Sequence, residues 1–213
     1  MVPFHGPQAG RFDVNNNIKL STEQLDALQE LTNIGASHAA TALSQLLNTR
    51  VILNVPTVRM VPFQEVSVLV GDPSSLIVAV YLKVFGDSPG KALFLFDHAH
   101  AQAIASLLVP TSSSGELYQD EMALSALKET GNILLGSFLD ALVKMTKLKL
   151  NFSVPAIAVD MAGAILDAVM LDGDYLEDWV FVETKFTGNQ VRGTLAFLPD
   201  NGTLKNLLGA LGL

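Results

Sequence analysis

Two Glu-x-x-Asn pairs, Glu30/Asn33 and Glu129/Asn132, are the residues of this chain best suited to chemistry. On a helix, residues three apart project side by side. An Asn amide both donates and accepts hydrogen bonds, so it can orient a water molecule. A Glu carboxylate can pair with a lysine on an incoming surface. Nothing beside them serves as a nucleophile: Ser37 has no His or Lys base at helical spacing, which argues against a serine hydrolase. A Walker-type loop, Gly-x-x-x-x-Gly-Lys-Ser/Thr, is absent. Asn cannot act as a general base, so any bond attacked must already be labile. The pairs therefore suit completion of another protein's active site, with in-line water placement for phosphoryl transfer. An aspartyl phosphate meets that condition.

Both pairs fall within long helical patterns. The first starts at Ser21 or Thr22, with Ser21-x-x-Gln24 as a capping box, and runs to about Asn48. The second covers about 117–146. At 100° per residue, Leu25, Leu28, Leu31, Gly35, Ala39, Ala42, Leu43 and Leu46 share the inner face of the first helix. Asp26, Glu30, Asn33, Ser37, Thr41 and Ser44 share the outer face, flanked by Ile34, Ala36 and Ala40. In the second helix Leu124, Leu127, Leu134, Phe138, Leu142 and Met145 face inward, and Ser125, Glu129, Asn132, Gly136 and Asp140 outward. Every amphipathic helix has a polar face, but a merely solvated one mixes Lys, Arg and Glu. No Lys or Arg occurs between Ser21 and Thr49. Asn is also a poor interior helix residue, yet it appears mid-helix twice, each time three residues after a Glu.

Around these helices, strand patterns occur near 51–58, 64–70, 75–84, 90–97, 148–158, 164–171, 178–187 and 190–198. Short helices are expected at about 98–109 and 200–211. Residues 1–17 read as an irregular arm, and Thr111-Ser-Ser-Ser-Gly115 as the one internal linker. A shift of 99 residues superimposes Gln24 through Pro56 on Ala123 through Pro155 without a gap, matching Glu30/Glu129, Asn33/Asn132 and Pro56/Pro155. The expected organisation is one domain over 18–213, built of two repeats at about 18–110 and 116–213 around a pseudo-twofold axis.

Composition narrows the class. Of 213 residues, 49% are apolar and 16% charged, enough for a sizeable core. The net charge of -8, without clustered Lys or Arg, argues against nucleic-acid binding. The absence of cysteine excludes disulfides and thiolate chemistry and suits a reducing cytoplasm. No apolar run approaches a membrane span, and the N-terminus lacks a secretory pattern. The four scattered histidines, His5, His38, His98 and His100, make no metal site. The chain reads as cytoplasmic, without membrane insertion.

At the two pairs the sequence resembles the CheC family of chemotaxis phosphatases, within the larger CheC, CheX and FliY group. The resemblance rests on Glu30-Leu-Thr-Asn33-Ile-Gly-Ala-Ser and Val55-Pro56, and again on Ser125-Ala-Leu-Lys-Glu129-Thr-Gly-Asn132-Ile-Leu-Leu-Gly136, Pro155 and Val159-Asp-Met-Ala-Gly. It implies an α/β fold, an antiparallel sheet packed against two long helices, in keeping with the hairpin-length turns. It implies hydrolysis of the aspartyl phosphate on the response regulator CheY. Asn33 and Asn132 would position the water, and Glu30 and Glu129 would bind a regulator lysine. Asp26 and Ser125, which open each motif, would contact the partner. The expectation is no cofactor of its own, with Mg²⁺ held by the regulator. The family also implies binding to the deamidase CheD, for which the segment around Asp160 is the candidate. Where the family has glycines in the first motif this chain has Thr32 and Ser37, while Gly131 and Gly136 remain in the second. Close approach of a partner backbone favours Gly, so the second site is the expected stronger one. Two competing readings are a flagellar-switch component like FliY, against which the end at Leu213 argues, and a CheD- or regulator-binding module without hydrolysis.

Overall fold

The structure, a computed structural model, describes residues 20–54, 56–62, 72–109, 117–171, 178–188, 191–200 and 203–213. The expected N-terminal arm, the strand near 64–70 and the 111–115 linker lie outside the described residues. Helix α1 spans Thr22–Leu46. Its capping box forms as expected: the Gln24 amide donates to Ser21 Oγ at 3.2 Å and the Ser21 amide to Gln24 Oε1 at 3.1 Å. Strands β1 (Val51–Leu53), β2 (Thr57–Pro62), β3 (Leu76–Gly86) and β4 (Gly90–Asp97) follow, then α2 (His98–Leu108). A 3₁₀ turn at Leu117–Gln119 precedes α3 (Glu121–Thr146), capped by Asp120, which accepts from the Ala123 amide at 3.0 Å. The remainder is β5 (Leu150–Phe152), β6 (Ala156–Met161), α4 (Ala162–Leu171), β7 (Asp178–Gly188), β8 (Val191–Pro199) and α5 (Thr203–Ala210).

The eight strands among the described residues form one sheet, every pairing antiparallel, in the order β1-β7-β8-β4-β3-β5, with β2 also on β7 and β6 also on β3. The pattern is a pseudo-twofold palindrome about the β4–β8 pair. It also interlocks the repeats: β1 and β2 of the first half complete β7 of the second, and β5 and β6 complete β3. The long strands expected at 51–58 and 148–158 are each split in two, at Pro56 and Pro155. Proline has no amide to donate to a ladder. In the second half Ser153 bridges the break, its amide donating to Lys83 O at 2.9 Å and its Oγ accepting from the Lys83 amide at 3.0 Å.

The sheet is buried on both faces, and alternation along β4 shows how. Ala92, Phe94 and Phe96 point into a core with Leu28, Leu31 and Leu43 of α1 and Leu127, Leu134 and Phe138 of α3. Ala101 and Ile104 of α2 and Leu204 and Leu207 of α5 join the same core. Leu93 and Leu95 point the other way, against Ala162, Ile165, Leu166 and Val169 of α4. That helix corrects the strand expected at 164–171. Its buried residues recur at i, i+3, i+4 and i+7, a helical period that a short run with Asp167 as its one charged residue conceals.

Candidate functional site

Helices α1 and α3 pack against each other where Gly35 meets Phe138. A Cβ at Gly35 would lie 2.7 Å from Phe138 Cδ2 and 3.2 Å from its carbonyl oxygen. The helices thus press together on one side and leave the other to solvent. On α1, Asp26, Glu30, Ser37 and Thr41 are exposed and Asn33 is half-buried. On α3, Ser125, Glu129 and Asp140 are exposed and Asn132 is half-buried. Each Glu is therefore open to a partner, while each Asn sits lower on the helix. Their side chains stand on open helix surface, so a second molecule must supply the opposing wall of any reaction site.

The two pairs differ in detail. Asn132 Nδ2 lies 3.5 Å from Glu129 Oε2, the outer limit of a hydrogen bond. The Glu30 and Asn33 side chains make no hydrogen bond among the described residues. Other polar groups of α1 are occupied within the helix: Ser37 Oγ donates to Asn33 O at 2.7 Å and Thr41 Oγ1 to Ser37 O at 2.9 Å. Ser44, expected on the functional face, instead serves the fold, donating to Ala40 O at 2.8 Å and accepting from the Val51 amide at 3.1 Å. Ala36 and Ala40, expected beside the functional residues, are buried, at 0% and 7% exposure. Met145, expected inside, is 36% exposed.

The glycine comparison also needs correcting. Thr32 and Gly131 occupy equivalent positions, and both are buried. Thr32 Oγ1 bonds to Leu28 O, and a Cβ at Gly131 would lie 2.5 Å from Val80 of β3. Neither position touches an approaching partner. Ser37 and Gly136 do lie on the outer side, and around Gly136 a Cβ would find nothing within 4 Å.

Asp160 is not with the other candidates. It is exposed on β6, opposite Ile77 of β3, and accepts from the Met161 amide at 2.7 Å. It borders a groove of about 300 Å³ lined by Tyr81, Ala158, Ile165 and Val169, on the α4 face of the sheet. The molecule thus carries two surfaces on opposite faces of one sheet. Sequence reasoning missed this groove because it read α4 as a strand. It also missed Met122, 66% exposed in the first turn of α3 and in line with Ser125 and Glu129. Among the described residues no cluster of three or more His, Asp or Glu is placed to hold a metal ion. No helix there is long and apolar enough to cross a membrane.

The sequence pattern of the CheC-like family matches residues 23–60 and 122–159, the same 99-residue offset that relates the repeats. The CheY-P phosphatase CheC of Bacillus subtilis is 34% identical over 204 residues, spanning 92% of this chain and 97% of that protein. This chain belongs to the CheC-like family. The crystal structure of Thermotoga maritima FliY superimposes with a TM-score of 0.72 at 25% identity, covering 91% of this chain and 98% of that one. The CheX of a CheX–CheY–BeF3–Mg complex from Borrelia burgdorferi shares the fold, with a TM-score of 0.55 at 17% identity and coverage of 83% and 99%. Glu30/Asn33 lies within the first matched segment of this CheC-like protein and Glu129/Asn132 within the second.

Proposed function

We propose that this CheC-like protein hydrolyses the aspartyl phosphate of a CheY-type response regulator. The observation that carries the proposal is the presentation of the same Glu/Asn pair twice, on exposed stretches of repeat-equivalent helices, with no metal cluster beside either among the described residues. The similarity to a CheY-P phosphatase over nearly the whole chain supports the same reading. Glu30 or Glu129 pairs with a regulator lysine and fixes the approach. Asn33 or Asn132 accepts a hydrogen bond from a water and holds it in line with the phosphorus. The water oxygen attacks, the bond from phosphorus to the aspartyl oxygen breaks, and the carboxylate leaves. The water proton passes to phosphate or solvent. Mg²⁺ is assigned to the regulator. Asp26 and Ser125 lie one turn before each Glu and are assigned to partner contact.

The α4 groove beside Asp160 is assigned to the second partner, CheD. Its place on the opposite face of the sheet lets both partners be bound without competing for one surface.

Loss of phosphate from the regulator, followed with and without this protein, tests the proposal. Acceleration is expected, surviving Asn33→Ala or Asn132→Ala singly and vanishing in the double variant. Binding without acceleration would favour an interaction module without hydrolysis.

A further inference from the structure

We infer that Met122 is an apolar anchor for the regulator at the α3 site, a contact that the α1 site lacks; the inference rests on the phosphatase reading and deepens it. Met122 lies seven residues before Glu129, about 20° from it on the helix wheel and about 10 Å along the axis. It therefore extends the line Ser125–Glu129 toward the helix start. Its 66% exposure is among the largest of any big apolar side chain here.

A structural role for Met122 is poorly supported by its position. With Asp120 as the N-cap, Met122 is the second helical residue, not the fourth, where a hydrophobic staple packs. The second position favours an acid, which interacts well with the amide ends of the helix. The equivalent residue of α1 is such an acid, Glu23, also exposed. Met122 thus forgoes a favourable local interaction and leaves apolar surface in water, a cost that burial against a partner recovers. The flexible thioether suits an irregular partner surface.

The charges around the two sites do not account for a difference by themselves. Asp26 and Glu30 join Glu23 on α1; Glu121, Glu129 and Asp140 lie on α3, with Lys128 beside Glu129 and His38 on α1. The faces also differ at Asp26/Ser125, Gln29/Lys128 and Ser37/Gly136, and among these differences Glu23/Met122 is the one that sets an acid against a large apolar side chain. The occupant is the regulator surface that adjoins its phosphorylation site, carrying an apolar patch roughly two helical turns from the lysine that Glu129 meets.

The test uses the Glu30→Ala/Asn33→Ala variant, in which only the α3 site remains. In that background Met122→Ala is expected to raise KM about fivefold with kcat unchanged, an effect of the size that burial of a large apolar side chain gives. Met122→Leu should restore KM. Met122→Glu should raise KM further while lifting the melting temperature by about 1–3 °C, so docking and stability move in opposite directions. Unchanged KM in both Met122→Ala and Met122→Glu overturns the inference, as does a fall in kcat alone. If the wild-type protein does not speed phosphate loss, the phosphatase reading fails on its own. The same variants are then compared for binding the beryllofluoride-loaded regulator, where equal affinities overturn the anchor and a loss in Met122→Ala upholds it.

Discussion

Gly131 and Gly136 show how much a residue's role depends on which side of the helix it faces. The two lie five residues apart in one motif, and the sequence treats them alike. A methyl at Gly131 would press on the β-branched, buried Val80 at 2.5 Å, with no flexible group to yield. Gly131→Ala is expected to destabilise the protein by about 1–3 kcal/mol, as overpacking a core does, seen as a lower midpoint in urea unfolding. Gly136→Ala meets open space and should stabilise by up to about 1 kcal/mol from helix propensity. If the regulator backbone comes close to α3 there, phosphatase activity through the α3 site falls while the unfolding midpoint rises. Equal activity in that variant would place the regulator elsewhere on the helix.

Among the elements, the Ser21 cap is legible because it is local. Asp120 occupies the repeat-equivalent position and also caps, although the sequence pattern places that helix start near 117. The opposite helix ends also agree: Asn48 and Lys147, again equivalent, have φ of 47° and 59°. Left-handed backbone suits glycine. Lys147→Gly should therefore stabilise by about 0.5–1 kcal/mol, measured by thermal melting. Helix α4 resembles a strand in sequence because Asp167 is the one charged residue among its ten, and a single polar group gives little contrast between faces. The division of β1 from β2 and of β5 from β6 falls at Pro56 and Pro155, inside what the sequence pattern presents as single strands. Each proline interrupts a ladder whose partner, β7 or β3, lies in the other repeat.

For the whole molecule, the interlocked sheet makes the two repeats one cooperative unit. The first half lacks β7 and β8 as partners for β1, β2 and β4; the second lacks β3 and β4 for β5, β6 and β8. Phe138 of α3 lies against Phe197 of β8, ring centroids 6.1 Å apart, and also against Gly35 of the other half. Expressed alone, residues 1–109 and 117–213 are expected to lack a cooperative unfolding transition. Mixed together, they should regain one by circular dichroism, and phosphatase activity with it. A cooperative transition in either half alone would show that the repeat, not the pair, is the folding unit.

The Glu-x-x-Asn pairs, their helices, the Ser21 cap and the 99-residue repeat are all readable from the chain before it folds. These depend on residue type and on spacing along one chain, which local physics reads directly. Folding alone sets which glycine is packed and which is open, the bond from Ser44 to the chain entering β1, and the place of Asp160 across the sheet from both pairs. It also makes each half lend strands to the other. Those facts turn on which distant segments meet, and an antiparallel sheet can bring either half's strands together with the same hydrogen bonds. The choice is made by packing over the whole core, which no single stretch of sequence contains.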